Sequence, residues 1–177
     1  GVAHWPVEDV VALLKTGVAP GGSVTGPMAE VVFRSTQFLN DADAQAIAVY
    51  LRALPQRAIT PAEVVKPSAA TLERGAKVSE QHCAQCHGDN GEGKPGAFPA
   101  LAGNRAVVLQ DPTNLVRVVL QGGYLPATAG NPRPHGMPPF MQVLGDDDVA
   151  AVSTFVRNAW GNQASAVGTI GVYRARE

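Results

Sequence analysis

Several residue types that would direct the interpretation of a sequence are scarce in this one. Its 177 residues include two cysteines, three methionines and four histidines, and aromatic residues make up only 6% of the chain. The formal net charge is −1, so the excess of positive charge that steers a protein to nucleic acid is lacking. No apolar run is long enough to span a bilayer. These absences exclude a basic nucleic-acid-binding protein and a membrane-spanning helix within this sequence.

The two cysteines lie close together and are followed at once by a histidine. Residues 83–87 read Cys-Ala-Gln-Cys-His, which has the C-x-x-C-H pattern of a c-type haem attachment site. A zinc site needs four ligands, and the sequence has no second C-x-x-C and no H-x-x-x-H. A thioredoxin-type redox pair requires alternating strands and helices, and strand signals are weak. The motif therefore predicts thioether bonds from Cys83 and Cys86 to haem c, with His87 as an iron ligand.

The residues that follow the motif resemble a known family. Residues 83–104 contain C-x-x-C-H-G-x-x-G-x-G and then P-x-L-x-G-N, a pattern similar to that of a class I cytochrome c. The resemblance implies an all-α cytochrome c fold. It also implies that the carbonyl of Pro99 accepts a hydrogen bond from the ring of His87, which would fix the orientation of that ligand.

Four further residues are candidates for the haem pocket or for contacts with the haem propionates. They are Leu101, Asn104, Arg105 and Trp160. Simpler roles stay open for three of them, because Asn104 could be a capping amide, Arg105 a solvated charge and Trp160 a packed ring.

The second axial ligand is expected further along the chain. Met137 lies in the sequence His-Gly-Met-Pro-Pro-Phe, which resembles the M-P-x-F ligand loop of the same family. A thioether sulfur is a soft ligand that suits iron, and Pro138 favours an extended backbone at the methionine. Met141 is the alternative ligand, and either methionine could instead fill the core. His135 is interpreted as a polar loop residue.

Local signals predict three helices around this site. Ser68 is expected to cap a helix that runs into the haem motif. Asp111 and Pro112 are expected to open a second helix, which ends at Gly122. Asp146 is expected to cap the last helix, whose apolar stripe continues to Val156. The predicted fold is all-α, with the first and last of these helices crossing.

The first third of the chain repeats part of the rest. Residues 9–17 match 114–122, and residues 41–52 match 146–157, both at a spacing of 105 positions. Met28 corresponds to Met137 at a spacing of 109. We therefore predict that residues 1–54 form the C-terminal half of a second cytochrome c-like domain, without a C-x-x-C-H of its own. Met28 is either an ordinary apolar residue or, if a segment upstream of Gly1 supplies a second haem, an axial ligand. We favour the interpretation that the sequence is part of a truncated multi-haem protein.

A proline-rich segment separates the two parts. Residues 55–67 contain prolines at 55, 61 and 67 and predict an extended, semi-rigid linker. One complete class I cytochrome c domain is then predicted at residues 68–177.

The repeat, the linker and residues 155–162 (Phe-Val-Arg-Asn-Ala-Trp-Gly-Asn) together resemble the multi-haem cytochrome c subunit of bacterial membrane-bound dehydrogenases of the alcohol, aldehyde or gluconate type. The resemblance implies a periplasmic electron-transfer protein, not an enzyme on its own. It implies a dehydrogenase catalytic subunit as partner and quinone or an oxidase downstream. A free-standing soluble carrier and a haem peroxidase are the alternative functions, and membrane association would depend on segments outside this sequence.

Overall fold

The computed structural model describes residues 1–55 and 64–177, and these residues form two units. The first unit contains residues 1–55 together with Tyr124–His135, and the second contains residues 64–123 and 136–177. The sequence interpretation had placed Tyr124–His135 in the second domain. Most of the predicted linker, residues 56–63, lies outside the described residues, so the proposed domain limits at 54 and 68 stay predictions.

The first unit consists mainly of short helices. In chain order its elements are α1 (Val7–Thr16), the antiparallel strands β1 (Val18–Ala19) and β2 (Gly22–Ser23), α2 (Pro27–Arg34), a 3₁₀ helix (Thr36–Phe38) and α3 (Asp41–Ala53). Gly17 ends α1 in the left-handed conformation. Asn40 caps α3, because its side chain accepts a hydrogen bond from the backbone N–H of Asp43 at 2.8 Å. As predicted, α3 ends before Pro55.

The buried apolar side chains of α1, α2 and α3 are few and small. Val10 of α1, Val32 of α2, and Ala44 and Ala48 of α3 are almost completely buried. Because α3 buries only alanines among its own residues, it contributes little apolar area to this core.

The second unit contains five helices among its described residues. They are α4 (Ala69–His82), α5 (Ala84–His87), α6 (Thr113–Gln121), α7 (Asp146–Val156) and α8 (Thr169–Arg176). Two-residue strands β3 (Gly123–Tyr124) and β4 (Gly136–Met137), at the two ends of the segment Tyr124–His135, pair with each other. The predicted all-α class is confirmed, since β-structure in the described parts is limited to short pairs of this kind. The sequence interpretation missed α8.

The predicted helix starts are correct in one case and shifted in two. Ser68 caps α4, as expected, by accepting a hydrogen bond from the N–H of Thr71 at 3.1 Å. Pro112 occupies the N-cap of α6, one position before the place expected for it, although the Asp111 carboxylate still accepts a hydrogen bond from the Thr113 N–H at 2.9 Å. Gly145 is the N-cap of α7, so Asp146 lies in the first turn instead of capping.

The crossing of α4 and α7 forms the centre of the second unit. A Cβ atom at Gly75 would collide with the carbonyl oxygen of Ala151, so glycine lets the two backbones touch. Seven residues of α7 are buried, Val149 to Thr154 and Val156, and α8 packs against α6 and α7. In the described residues, no helix is both long and apolar enough to cross a membrane.

Candidate haem-binding site

The C-x-x-C-H motif occupies the sharp junction between α4 and α5. The backbone N–H of Cys83 donates to the carbonyl of Ser79 at 2.8 Å, which closes the last turn of α4. The carbonyl of Cys83 then accepts hydrogen bonds from the N–H groups of Cys86 at 3.1 Å and His87 at 2.9 Å. One tight turn therefore carries both cysteines and the histidine, and both cysteines are free and half-buried.

The surroundings of Cys83 are apolar enough to disfavour a charged sulfur. Burial raises the pKa of the Cys83 thiol to about 11, against the opposite effect of a hydrogen bond with Ser79. Cys83 also packs against the hydrophobic core of the second unit. A neutral sulfur, whether thiol or thioether, is therefore the form that this position stabilises.

The ring of His87 is held by the backbone of a loop twelve residues further along. Its Nδ1 lies 2.8 Å from the carbonyl oxygen of Pro99, so Nδ1 carries the proton and donates it. Burial lowers the pKa of His87, and the hydrogen bond to Pro99 opposes this effect. A neutral imidazole held in this way leaves Nε2 unprotonated and able to coordinate a metal, an arrangement that metal-binding histidines use.

Gly93 lets the loop carry the Pro99 carbonyl to the histidine. Its φ of +67° lies in the left-handed region, and a Cβ there would stand 2.6 Å from the carbonyl oxygen of Phe98 and 2.7 Å from the amide nitrogen of Ala100. The N–H of Gly93 also donates to the carbonyl of His87 at 2.7 Å. Gly93, the last glycine of the C-x-x-C-H-G-x-x-G-x-G pattern, thus helps to hold the loop that bonds the His87 ring.

The two methionines of the second unit occupy different environments. Met137 lies half-buried on β4, and its backbone passes so close to Gly122 that a Cβ on that glycine would collide with the Met137 carbonyl. Met141 packs against the hydrophobic core, and its N–H donates to the carbonyl of Leu120 at 3.0 Å. Core packing already accounts for Met141, whereas Met137 remains available for coordination.

Met28, the conditional iron ligand, and His135, interpreted as a polar loop residue, both lie in the first unit. Met28 is 55% exposed and lies near the start of helix α2, whereas its counterpart Met137 lies in a strand. His135 is exposed, at the end of Tyr124–His135.

The four predicted pocket residues have distinct contacts. Leu101 packs against the core of the second unit. Asn104 is 5% exposed. Its side chain hydrogen-bonds within its own loop, donating to the Ala100 carbonyl and accepting from the Ala106 N–H. Arg105 is exposed. Trp160 donates from Nε1 to the carbonyl of Asp89 at 3.0 Å.

The sequence interpretation missed a buried arginine. Arg157, at the end of α7, is 1% exposed and donates to the carbonyls of Val107 and Leu109, each at 2.8 Å, and of Ser165 at 3.0 Å. Burial lowers its pKa, and the nearby Asp111 opposes the effect. An arginine directly after the apolar stripe of α7 was the available signal, since buried arginines need fixed partners.

The residues of this site fit a c-type haem. Two sulfurs on one turn can form thioethers, a neutral imidazole has one nitrogen held and one free, and a thioether side chain lies in a second loop of the same unit. His/Met ligation with two cysteine attachments is the donor set expected for such a group. Our assignment of the individual ligands remains a prediction.

Comparison with known proteins agrees with this fit. The family model described as Cytochrome c matches residues 72–160. The chain belongs to the cytochrome c family. This cytochrome is 38% identical over 174 residues to the cytochrome c subunit of alcohol dehydrogenase (quinone) from Gluconobacter oxydans (strain 621H), a match that covers 93% of the chain and 36% of the relative. The corresponding subunit from Gluconacetobacter polyoxogenes is 37% identical over 175 residues, covering 93% and 37%.

A third relative has a different named substrate. The cytochrome c subunit of gluconate 2-dehydrogenase from Pantoea cypripedii is 34% identical over 178 residues, which cover 96% of this cytochrome and 40% of the relative. The chain thus spans about two fifths or less of the length of these relatives. Family membership identifies an electron-transfer protein that carries covalent haem c and is not by itself an enzyme.

Proposed function

We propose that this cytochrome relays single electrons as part of a dehydrogenase cytochrome subunit, with His87 and Met137 as the axial ligands of its haem iron. The observation that carries the proposal is the turn that presents Cys83, Cys86 and His87 together, with the imidazole held 2.8 Å from the Pro99 carbonyl. When bound there, the cofactor supplies a reversible ferrous–ferric couple. The protein attaches it, orients the imidazole and shields the site from water.

The proposed partner is the catalytic subunit of a membrane-bound dehydrogenase. Relatives that match nearly the whole chain are named as cytochrome subunits of alcohol and gluconate dehydrogenases. The proposed route takes electrons from such a subunit to quinone or the respiratory chain, in the periplasm at the outer face of the cytoplasmic membrane. The differing names of these relatives leave the substrate of the partner open.

We also propose that residues 1–54 form the C-terminal half of a second cytochrome c-like domain. Its α1 ends at Gly17 as α6 ends at Gly122, and its α3 occupies the repeat position of α7. Met28 is 55% exposed, so its sulfur is accessible to an iron held by a segment outside this sequence. The proposed haem count is one in this chain and a second where such a segment is present.

Replacement of one attachment cysteine tests the cofactor proposal. We expect Cys86→Ser to weaken or abolish covalent haem retention, because only one thioether can then form. Haem staining on a denaturing gel and intact mass measure this directly. Gln85→Ala is the matched control, since Gln85 is exposed between the two cysteines and should leave attachment unchanged. Full haem retention in Cys86→Ser would contradict the assignment.

Replacement of each methionine tests the axial ligand. We expect Met137→Ala to lower the reduction potential and to let the ferric protein bind cyanide, because the thioether that favours ferrous iron is removed. Met141→Ala should keep the low-spin spectrum while lowering the free energy of unfolding by about 2 kcal/mol, since its half-buried side chain packs on the core. Ligand loss in Met141→Ala instead would reverse the assignment. Cyanide binding by the unaltered protein at low concentration would favour a peroxidase.

Association distinguishes a subunit from a free carrier. The subunit proposal predicts that the full-length protein co-purifies with a dehydrogenase from detergent-solubilised membranes. Elution as a lone soluble haem protein would instead support the free-standing carrier.

A further inference from the structure

We infer that Asn162 and Trp160, which follow α7, are positioning residues that hold the loop carrying the Pro99 carbonyl against His87. The inference rests on the proposed function, because it assigns these two residues an effect on the iron ligand. Neither side chain needs to touch the cofactor for this role. Both act through backbone groups of residues 89–103.

Asn162 uses its whole amide group to fasten that loop. Its Oδ1 accepts a hydrogen bond from the N–H of Gly103 at 3.0 Å, and its Nδ2 donates to the carbonyl of Leu101 at 3.0 Å. The same Nδ2 donates to the carbonyl of Val156, at the end of α7, at 2.8 Å. The residue is only 6% exposed, so no water replaces these bonds without a cost in free energy. The end of α7 is thereby joined directly to the loop.

Trp160 fastens the other end of the same region. Its Nε1 donates to the Asp89 carbonyl at 3.0 Å, and its ring lies so close to Gly91 that a Cβ on Gly91 would collide with it. The ring also meets Phe155 edge-on, with centroids 5.4 Å apart. Trp160 has a φ of +54°, unusual for a residue with a Cβ, and the surrounding contacts hold it there.

Backbone hydrogen bonds connect the two fastened ends. The carbonyl of Gly91 accepts from the N–H of Leu101 at 2.7 Å and from the N–H of Ala102 at 2.9 Å. These bonds join residues 88–93 to residues 99–103, with Trp160 against the first segment and Asn162 against the second. Pro99 lies two residues from Leu101, so we expect displacement of the joined segments to change the distance from the Pro99 carbonyl to His87 Nδ1.

This distance matters for the iron because the hydrogen bond from His87 increases the basicity of the imidazole. A more basic imidazole stabilises ferric iron relative to ferrous iron. Loosening the loop should therefore weaken the hydrogen bond and raise the reduction potential. Replacing a residue that only stabilises the fold would lower the unfolding temperature and leave the reduction potential of the folded protein unchanged.

The test compares Asn162→Ala and Trp160→Phe with Asn158→Ala in the haem-loaded protein. Asn158 is the matched control, because its Nδ2 donates to the Thr154 carbonyl of α7 at 2.9 Å and not to the loop. Trp160→Phe removes the bond to Asp89 and reduces the ring contact with Gly91 but keeps an aromatic ring, so it serves if Asn162→Ala does not fold. Spectroelectrochemistry gives the potential, and hydrogen exchange followed by NMR gives the protection of individual N–H groups.

We expect both variants to have a higher potential than the unaltered protein, and the amides of Leu101 and Ala102 to exchange about tenfold faster in Asn162→Ala. Asn158→Ala should change neither quantity. A lower unfolding temperature with an unchanged potential in both variants would overturn the inference while leaving the proposed function intact. Absence of a low-spin haem spectrum in the unaltered protein would overturn both.

Discussion

The helices α3 and α7 occupy the same position of the repeat but differ greatly in burial. Ala151 of α7 is 2% exposed beneath α4, and Phe155 is half-buried. Their counterparts in α3, Ala46 and Tyr50, are both exposed, Tyr50 by 66%. The difference arises because α4 covers α7, whereas no described helix covers this face of α3.

The comparison shows that an amphipathic sequence determines which face of a helix is apolar but not whether that face is buried. In α3, apolar side chains that would meet a partner helix are left in contact with solvent, including Ile47, Val49 and Tyr50. In α7 the equivalent stripe is covered, and the backbone contact at Gly75 is formed. Residues 1–54, proposed above as a half-domain, thus form their helices but leave apolar side chains of α3 exposed.

The largest expected effect comes from enlarging the same repeat position in both helices. Ala151→Gln should lower the free energy of unfolding of the second unit by about 4 kcal/mol, because a buried amide lacks both room and hydrogen-bond partners. Ala46→Gln should change the stability of the first unit by less than about 0.5 kcal/mol, since the residue is exposed. Hydrogen exchange of α7 and α3 measures the two units separately.

A longer chain would sharpen this result. If an upstream segment covers α3, Ala46→Gln should become destabilising once that segment is present. Equal and small effects at both positions of the present chain would contradict the difference in burial.

The next effect concerns the helix crossing itself. Gly75→Ala should destabilise the second unit by about 3 kcal/mol, because the new methyl group would meet the Ala151 carbonyl and Phe155. Gly171→Ala in α8 is the matched control, with open space around its Cβ position. It should stabilise the protein by about 0.5 to 1 kcal/mol through helix propensity. Thermal unfolding followed by circular dichroism gives both values, and a neutral Gly75→Ala would show that the crossing can relax.

Much of the fold could be predicted because its signals are local. Ser68 has the side chain of an N-cap, and the apolar stripe of α7 repeats with helical period, so both helices were found. The C-x-x-C-H motif is similarly local, since one turn contains it entirely. Helix α8 was missed because its apolar residues do not form a clear stripe along one face. Only Val172 and Ala175 of this helix are buried.

Long-range contacts of the site could not be predicted from pattern alone. Asn162 contacts Gly103 across 59 residues, and Arg157 contacts Val107 across 50. The position of Arg157 directly after the apolar stripe of α7 signals a buried cation, but the local sequence does not identify the distant partners of Arg157 or Asn162. The Met28 and Met137 loops also diverge despite their matching positions, because Pro27 and Met28 begin a helix whereas Pro138 and Pro139 follow a strand.

The smallest expected effect comes from the acidic residue that begins each repeated helix. Asp41 of α3 pairs with Lys15 at 2.5 Å, while its counterpart Asp146 of α7 pairs with Arg176, which also donates to the Met141 and Leu144 carbonyls. The hydrogen bond and charge of Lys15 lower the pKa of Asp41 from its ordinary value of 3.8. A carboxyl with a lowered pKa contributes stability that is complete above its unfolded value and is lost as the pH falls through its folded value.

For Asp41 this loss of stability is expected only below about pH 3.8. Asp41→Asn should therefore slightly reduce the stability of the protein near neutral pH and remove part of the decrease in stability at acid pH. Because the pair is exposed, added salt should diminish the effect. NMR titration of the Asp41 carboxyl measures the shift, and Lys15→Gln should return the midpoint towards the ordinary value. An unchanged midpoint in Lys15→Gln would show that the Lys15–Asp41 pair does not affect the pKa of Asp41 in solution. Arg176 donates to three acceptors, so it should still link α8 to the start of α7.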